Sequence, residues 1–162
     1  MTYDVVLAKL PPKALFELQG DPKHLGDWVG VGMPEGMNVA VWTQQGQIIR
    51  TGPKRWLLSG DLSGEAALFQ TLRPSDCPPE ISIVCISDTL AFWAISGPDA
   101  EHEVSIARPL DLHPSVFPDI GATFTEAFGQ RALILRPPSG FELAMDRSYA
   151  VFVDEYLAHI TA

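Results

Sequence analysis

The chain has 162 residues, of which 46% are hydrophobic and 19% are charged, and its formal net charge is −9. This composition is typical of a folded globular protein and excludes a disordered or fibrous one. The excess of acidic residues argues against a nucleic-acid or anionic-membrane partner, because contacts to phosphate need clustered positive charge. No apolar run in the sequence is long enough to span a membrane.

The N-terminal residues lack the basic start and apolar core of a secretion signal. The two cysteines, Cys77 and Cys85, fit no zinc or redox motif. We therefore expect a cytoplasmic protein with reduced cysteines. The length fits a single domain over residues 1–162, with a division into two subdomains, at about 1–80 and 81–162, as the alternative.

The first half of the chain is predicted to hold short strands and one helix. Residues 1–12 are expected to form an arm without regular structure, and the glycine- and proline-rich stretch 20–36 a long loop. Apolar residues and intervening turn residues predict strands at 13–18, 39–43, 47–50 and 56–59. A helix capped by Ser63 and stopped by Pro74 is predicted to bury one face. Its apolar positions are Leu62, Ala66, Phe69 and Leu72.

The second half repeats this pattern. Strands are predicted at 81–86, 91–95, 123–128, 131–136 and 141–145. A second helix starts at Ser96-Gly97-Pro98-Asp99, where the serine caps and the aspartate has capping-box-like spacing, and it ends at Pro109. Its apolar stripe consists of Ala100, Val104 and Ala107. A C-terminal helix follows a cap at Asp146 or Ser148, with an apolar stripe at Tyr149, Phe152, Val153, Tyr156, Leu157 and Ile160.

Hairpin-connected strands interrupted by single helices favour an α+β fold, with mostly antiparallel sheets and helices on one face. The rough repetition indicates two ferredoxin-like halves.

The sequence offers no convincing catalytic, cofactor-binding or metal-binding residues. The four histidines, His24, His102, His113 and His159, are widely spaced, and no pair shares one helical face. No Gly-x-Ser-x-Gly motif is present, and neither cysteine has a basic neighbour to activate it. The acidic pair Asp154-Glu155 is interpreted as part of a solvated helix face.

Two segments have features that a core alone does not explain. Residues 52–58 form a sharp turn that leads into a strand beginning with a tryptophan, and residues 108–118 form a proline-stiffened loop with apolar side chains. A rigid apolar loop loses little entropy on docking, so it suits a protein–protein contact. On this interpretation the subunit interface contains Trp56, Leu112, His113 and Phe117. The alternative, a loop that covers the chain's own core, is equally compatible with the sequence.

The same segments carry a family resemblance. The motifs are Gly52-Pro53-x-x-Trp56-Leu57-Leu58, Ser96-Gly97-Pro98-Asp99-Ala100, Pro109-Leu110-Asp111-Leu112-His113-Pro114-x-x-Phe117-Pro118, Phe141-Glu142-Leu143 and Arg147-Ser148-Tyr149-Ala150. In this order and spacing, over residues 38–160, the chain resembles the gamma subunit of heterotetrameric sarcosine oxidase. That subunit is in turn similar to part of the folate-binding aminomethyltransferase fold of the glycine-cleavage T-protein.

The resemblance implies a non-catalytic structural subunit that docks on a large alpha subunit and, through it, joins the beta and delta subunits. It implies an enzyme that oxidatively demethylates sarcosine to glycine and passes the one-carbon unit to tetrahydrofolate. Flavins, NAD and zinc would reside in the partner subunits, and this chain would hold no cofactor. Removed from its partners, the chain is expected to self-associate through its exposed apolar patch.

The sequence departs from the aminomethyltransferase pattern at two points. The Gly-Gly-x-x-Asp-Asp turn of that family, whose acid serves folate chemistry, corresponds here to Phe128-Gly129-Gln130-Arg131. The Asn-Ala before the last helix corresponds to Asp146-Arg147-Ser148. Two alternatives remain open, a free-standing folate-binding one-carbon protein and the similar small subunit of N-methylglutamate dehydrogenase.

Overall fold

The structure is a computed structural model that describes residues 4–106 and 110–160, with the backbone alone for Ile160. The predicted helix positions Ala107 and Pro109 therefore lie outside the described residues. The ten strands of the described part are β1 Val6–Leu10, β2 Lys13–Gly20, β3 Ala40–Thr43, β4 Gly46–Gly52, β5 Arg55–Asp61, β6 Ile81–Cys85, β7 Leu90–Ser96, β8 Ala122–Ala127, β9 Gln130–Leu135 and β10 Phe141–Asp146. The α-helices are α1 Pro22–Val29, α2 Glu65–Leu72, α3 Ala100–Ile106 and α4 Ala150–Ile160.

The chain divides into two compact units. Unit 2 is Pro12–Asp88, and unit 1 combines the described parts of Met1–Pro11 and Thr89–Ala162. Unit 2 contains an antiparallel sheet of order β3-β4-β5-β2-β6, and unit 1 an antiparallel sheet of order β1-β7-β10-β9-β8. Two five-stranded antiparallel sheets with four α-helices confirm the predicted α+β class.

The two units repeat one topology. In unit 2 the order strand, helix, three strands, helix begins at β2, and in unit 1 it begins at β7. Unit 2 completes its sheet with β6, which follows α2, whereas unit 1 takes its outer strand, β1, from the N-terminus. Each unit thus has one strand more than the four-stranded β-α-β-β-α-β arrangement.

Two glycines mark equivalent points of this repeat, at or just after the ends of β2 and β7. Gly20 has φ +140° and Gly97 has φ +110°, conformations that favour glycine. A Cβ would lie 2.6 Å from the Glu80 carbonyl oxygen at Gly20 and 2.5 Å from the Asp4 carbonyl oxygen at Gly97. In each unit the outer strand therefore begins directly against a glycine that precedes the first helix.

Each unit has its own hydrophobic core. In unit 2, α1 and α2 pack apolar side chains against the sheet: Phe16, Leu18, Leu25, Val29, Ile48, Trp56, Leu58, Leu68 and Leu72. In unit 1 the core combines the sheet with α3, α4 and the loop before β8: Trp93, Ile95, Val104, Leu112, Phe117, Ile134, Phe141, Leu143, Val153 and Leu157.

The prediction of an unstructured arm over residues 1–12 is wrong. Residues Val6–Leu10 form β1, which pairs with β7 in the register Val6↔Ser96 to Leu10↔Phe92. The strand has no clean apolar alternation because it lies at a sheet edge, where both faces are largely exposed. Pairing with β7, and not local pattern, determines its structure.

The prediction of a continuous loop over residues 20–36 is also wrong, because Pro22–Val29 forms α1. Asp21 Oδ1 accepts hydrogen bonds from the amides of His24, at 3.3 Å, and Lys23, at 3.0 Å. These amides hold the pKa of Asp21 below its ordinary value. Gly30, with φ 78°, ends the helix by donating to the Gly26 carbonyl.

The apolar stripes predicted for the helix at 62–72 and for the C-terminal helix are only partly buried. A 3-10 turn occupies Leu62–Gly64, so α2 begins at Glu65 and its N-cap is Gly64, not the predicted Ser63. The helix buries Leu68 and Leu72, while Leu62 and Phe69 are exposed. The C-terminal stripe buries Val153 and Leu157 on α4, and exposes Phe152 on α4 and Tyr149 in the preceding 3-10 turn. Before α4, Asp146 accepts from the amide and hydroxyl of Ser148 and caps the turn Arg147–Tyr149.

Candidate docking surface

The structure places three of the four predicted interface residues inside the chain. Trp56 is 2% exposed, and Leu112 and Phe117 are each 3% exposed. The indole N–H of Trp56 donates to the Pro34 carbonyl at 2.9 Å. These side chains cannot contact a partner in this conformation, because each fills a core of its own unit. Of the four, only His113 lies at the surface.

His113 organises the turn at the start of the loop 110–121, which we call the docking loop. Its amide donates to Asp111 Oδ1 at 2.9 Å, and its Nδ1 lies 2.7 Å from Ser115 Oγ. Its carbonyl accepts from the amides of Val116, at 2.8 Å, and Phe117, at 2.9 Å. The predicted interface histidine therefore shapes the loop through local hydrogen bonds.

Arg136, which follows β9, fastens the docking loop to the rest of unit 1. Its Nη1 donates to the carbonyl oxygens of Leu112 and Phe117, and its Nη2 donates to Glu101 Oε2 of α3 at 3.2 Å. Its Nε lies 3.8 Å from Asp119 Oδ1. Since only 13% of the Arg136 side chain is exposed, water competes little for these bonds. The sequence gives no signal for this role, because the four partners are 17 to 35 residues away and two of them are backbone carbonyls.

The same loop presents other apolar side chains to solvent. Val116 is 60% exposed and Ile120 is 53% exposed. Leu112 and Phe117 anchor the loop in the core, so the residues between and after them face outward. This loop has buried anchor residues, hydrogen bonds from Arg136 that hold its backbone, and exposed apolar side chains. Such a loop is preorganised for a protein–protein contact. Of the side chains predicted for an interface on this loop, His113 is exposed, whereas Leu112 and Phe117 are buried.

The turn Phe128-Gly129 joins β8 to β9. Phe128 and Gly129 have φ values of 53° and 74°, and Ala127 pairs with Gln130. The Phe128 ring lies 4.4 Å from the Tyr156 ring and 6.4 Å from the Phe152 ring, centroid to centroid. A carboxylate is absent from this turn, and an aromatic cluster occupies its side facing α4.

An apolar cavity of about 20 Å³ lies beside this turn, between β-strands and helices of unit 1. Phe128, Val104, Leu157 and the buried Glu103 line it. Glu103 Oε1 has no hydrogen-bond partner among the described residues. The volume has room for about one water molecule. The cavity and the turn therefore do not fit a folate.

The other side chains considered as candidates for chemistry form no common site among the described residues. Within residues 4–106 and 110–160, no three His, Cys, Asp or Glu side chains come close enough to hold a metal ion. Cys77 and Cys85 are free thiols. Asp99, for which a capping-box-like spacing behind Ser96 is predicted, accepts with its Oδ2 from the Asp4 amide at 2.9 Å. In the described part of the chain, no helix has both the length and the apolar character needed to cross a membrane.

Comparison with solved structures shows which known folds this chain resembles. The chain is similar to the glycine cleavage system aminomethyltransferase T of Bartonella henselae, with a TM-score of 0.69 and 16% identity over 95% of this chain and 45% of that one. It therefore spans less than half of that protein. The chain is also similar to the regulatory subunit of aspartate kinase from Thermus thermophilus. This similarity has a lower TM-score, 0.52, with 13% identity over 99% of both chains.

The similarity to one particular enzyme extends over nearly the whole chain. A chain of the heterotetrameric sarcosine oxidase of Corynebacterium sp. U-96 matches with a TM-score of 0.81 and 21% identity, over 98% of this chain and 86% of that one. This match confirms, at the level of the fold, the resemblance that the motifs indicate. No family model matches the sequence, and no curated protein matches it.

Proposed function

We propose that the chain is a non-catalytic structural subunit of a heterotetrameric enzyme of the sarcosine oxidase type, and that its docking loop contacts the large alpha subunit. The main support is the similarity to a chain of such an enzyme over 98% of this chain and 86% of that one.

In this proposal the reaction is the oxidative demethylation of sarcosine to glycine, with transfer of the one-carbon unit to tetrahydrofolate, and other subunits perform it. Flavins, NAD and zinc belong to those subunits. This chain contributes docking surface, and the alpha subunit connects it to the beta and delta subunits. The rigid attachment of the docking loop by Arg136 supports this role, since a preformed loop loses little entropy on binding.

The docking loop can be tested with two charged substitutions. The double variant Val116→Lys and Ile120→Lys is compared with Val151→Lys, which also replaces an exposed apolar residue in unit 1, 70% exposed, but on α4. Each chain is tagged and purified from the producing organism. We expect wild type and Val151→Lys to bring down a large flavin-carrying chain with sarcosine-dependent activity, and the double variant to lose it. Recovery of wild type without such a chain contradicts the proposal.

The similarity to an aminomethyltransferase supports one second candidate, a folate-binding one-carbon protein. Titration of the isolated chain with tetrahydrofolate distinguishes the two candidates. We expect no saturable binding, because the turn at Phe128 and its cavity do not fit a folate. Activity of the purified assembly with N-methylglutamate, in place of sarcosine, would identify the parent enzyme as N-methylglutamate dehydrogenase.

A further inference from the structure

Glu103, on α3 of unit 1, places a carboxyl group among inward-facing apolar side chains. It is 7% exposed, and its helix neighbours Ala100 and Val104 are 3% and 4% exposed. Its Oε1 has no hydrogen-bond partner among the described residues. A buried oxygen that leaves water and gains no donor destabilises the arrangement that buries it. Glu103 therefore weakens the packing of α3 against the core of unit 1.

The cavity beside Glu103 does not remove this penalty. At about 20 Å³, it has room for about one water molecule. Apart from Glu142, the side chains that line it with Glu103 are apolar, Phe128, Phe141 and Leu157 among them. A buried water is typically held by about three polar groups, which a mostly apolar lining does not supply.

The corresponding helix of unit 2 is held differently. In the repeated topology α1 follows β2 as α3 follows β7. The buried residues of α1 are Leu25 and Val29, and Asp21 caps its first turn. Both buried side chains of α1 thus favour packing against the sheet, whereas one of the three buried residues of α3 is Glu103. We therefore expect α3 to be the less firmly held of the two helices.

Arg136 connects α3 to the docking loop. Glu101 Oε2, on α3, accepts from Arg136 Nη2 at 3.2 Å. Arg136 Nη1 donates to the carbonyl oxygens of Leu112 and Phe117 in the loop. When α3 moves away from the core, Arg136 loses a charge-assisted hydrogen bond that helps to fix its guanidinium. Release of α3 therefore loosens the attachment of the loop.

We infer that Glu103 makes α3 a releasable helix, which leaves the core of unit 1 more readily than the strands of that unit separate, and whose release loosens the docking loop. Segments with few buried apolar contacts open locally while the rest of a protein stays folded. The consequence for assembly rests on the proposed function. A partner that binds the ordered docking loop favours the closed position of α3, because linked equilibria act in both directions.

Hydrogen–deuterium exchange of the full chain, measured by mass spectrometry, tests the release. Glu103→Met keeps the side-chain length and helix propensity and removes the carboxyl group. The matched control is Glu155→Met, on α4, where the carboxylate is exposed. In wild type we expect residues 100–106 to exchange faster than β10. In Glu103→Met, exchange over 100–106 should slow by about tenfold or more, and exchange over 110–121 should slow with it.

The control and the melting temperature complete the test. Exchange over 100–106 in Glu155→Met should stay within about twofold of wild type. The melting temperature of Glu103→Met should rise by at least about 2 °C. If Glu103→Met and Glu103→Gln both melt below wild type, the carboxyl group stabilises α3 and the inference is wrong.

The other outcomes separate the parts of the inference. If residues 100–106 exchange as slowly as β10, or if Glu103→Met leaves their exchange unchanged, α3 is not releasable. If only 100–106 slows, the connection to the docking loop is wrong. In the assembly, we expect 100–106 to exchange more slowly than in the free chain. If wild type recovers no large chain, the proposed function and the closure on assembly fail, while the result on the free chain still decides the release.

Discussion

The indole N–H of Trp93, in β7, donates a hydrogen bond of 2.7 Å to Asp154 Oδ1, in α4. Lys9 of β1 binds the other carboxylate oxygen of Asp154. One carboxylate thus joins the N-terminal strand, the neighbouring strand and the last helix of unit 1. Its helix neighbour Glu155 is exposed. The predicted solvated face therefore includes one structural acid.

This contact predicts a pH effect on stability. The Lys9 and Trp93 hydrogen bonds lower the pKa of Asp154 from its ordinary 3.8. A carboxyl with a lowered folded pKa stabilises the protein above its unfolded pKa, and this stabilisation is lost as the pH falls through the folded pKa. We expect Asp154→Asn to reduce the dependence of the free energy of unfolding on pH below about 5. Urea titrations across this range measure the effect.

The matched control is Glu155→Gln, which removes the adjacent exposed carboxylate. We expect its stability to follow the wild-type pH dependence closely, because surface charges contribute little alone. Equal pH profiles for Asp154→Asn and wild type would show that the Asp154 contacts do not stabilise the folded state.

The hydrogen bonds of Arg136 predict that its replacement destabilises mainly the docking loop. Arg136→Ala leaves the carbonyls of Leu112 and Phe117 without this donor and should cost about 2 kcal/mol or more. Arg131→Ala, which removes an exposed arginine over Phe124, should cost less than about 1 kcal/mol. Chemical denaturation measures both, and limited proteolysis should cleave Arg136→Ala within 110–121. If the loop of that variant resists protease, Arg136 does not hold the loop in place.

The two kinds of side chain on the docking loop should respond differently. Phe117→Ala creates a cavity in the core of unit 1 and should reduce the free energy of unfolding by about 3–5 kcal/mol. Val116→Lys should change it by less than about 0.5 kcal/mol and should instead weaken assembly. Denaturation and affinity measurements on both variants check this division. A stable Phe117→Ala chain that fails to assemble would indicate that the loop opens on binding.

Phe128 combines backbone strain with aromatic packing. A phenylalanine with φ 53° is unfavourable, and its contact with Tyr156 at 4.4 Å offsets the cost. A double-mutant cycle of Phe128→Ala and Tyr156→Ala should give a coupling of about 0.5–1.5 kcal/mol. Additive effects of the two substitutions would show that the rings do not stabilise the turn.

Sequence reasoning predicted the elements whose signals are local. The central strands and α4 follow from apolar runs and helical periodicity. The hairpin after β8 starts one residue earlier than predicted, because Phe128, placed in the strand 123–128, has φ 53° and belongs to the turn. The β1 strand was missed because its partner is about 85 residues away in sequence. For α1 a local signal existed: Asp21 before Pro22, and Gly30 at the end, are typical helix boundaries.

The candidate docking surface likewise depends on contacts between residues that are far apart in the sequence. Proline-rich sequence identified the docking loop, but burial of Leu112 and Phe117 depends on contacts with the rest of unit 1. The role of Arg136 depends on carbonyls of the folded loop.

The central claim is that this chain supplies docking surfaces and that its partners supply the chemistry. Native mass spectrometry of the tagged chain, alone and in the assembly purified from the producing organism, tests it most directly. We predict that the free chain carries no bound small molecule, as a monomer or as a self-associated form, and that in the assembly a larger chain carries the flavin. A free chain that holds a flavin, a pterin or a metal ion stoichiometrically, or that oxidises an N-methyl amine, would contradict the account.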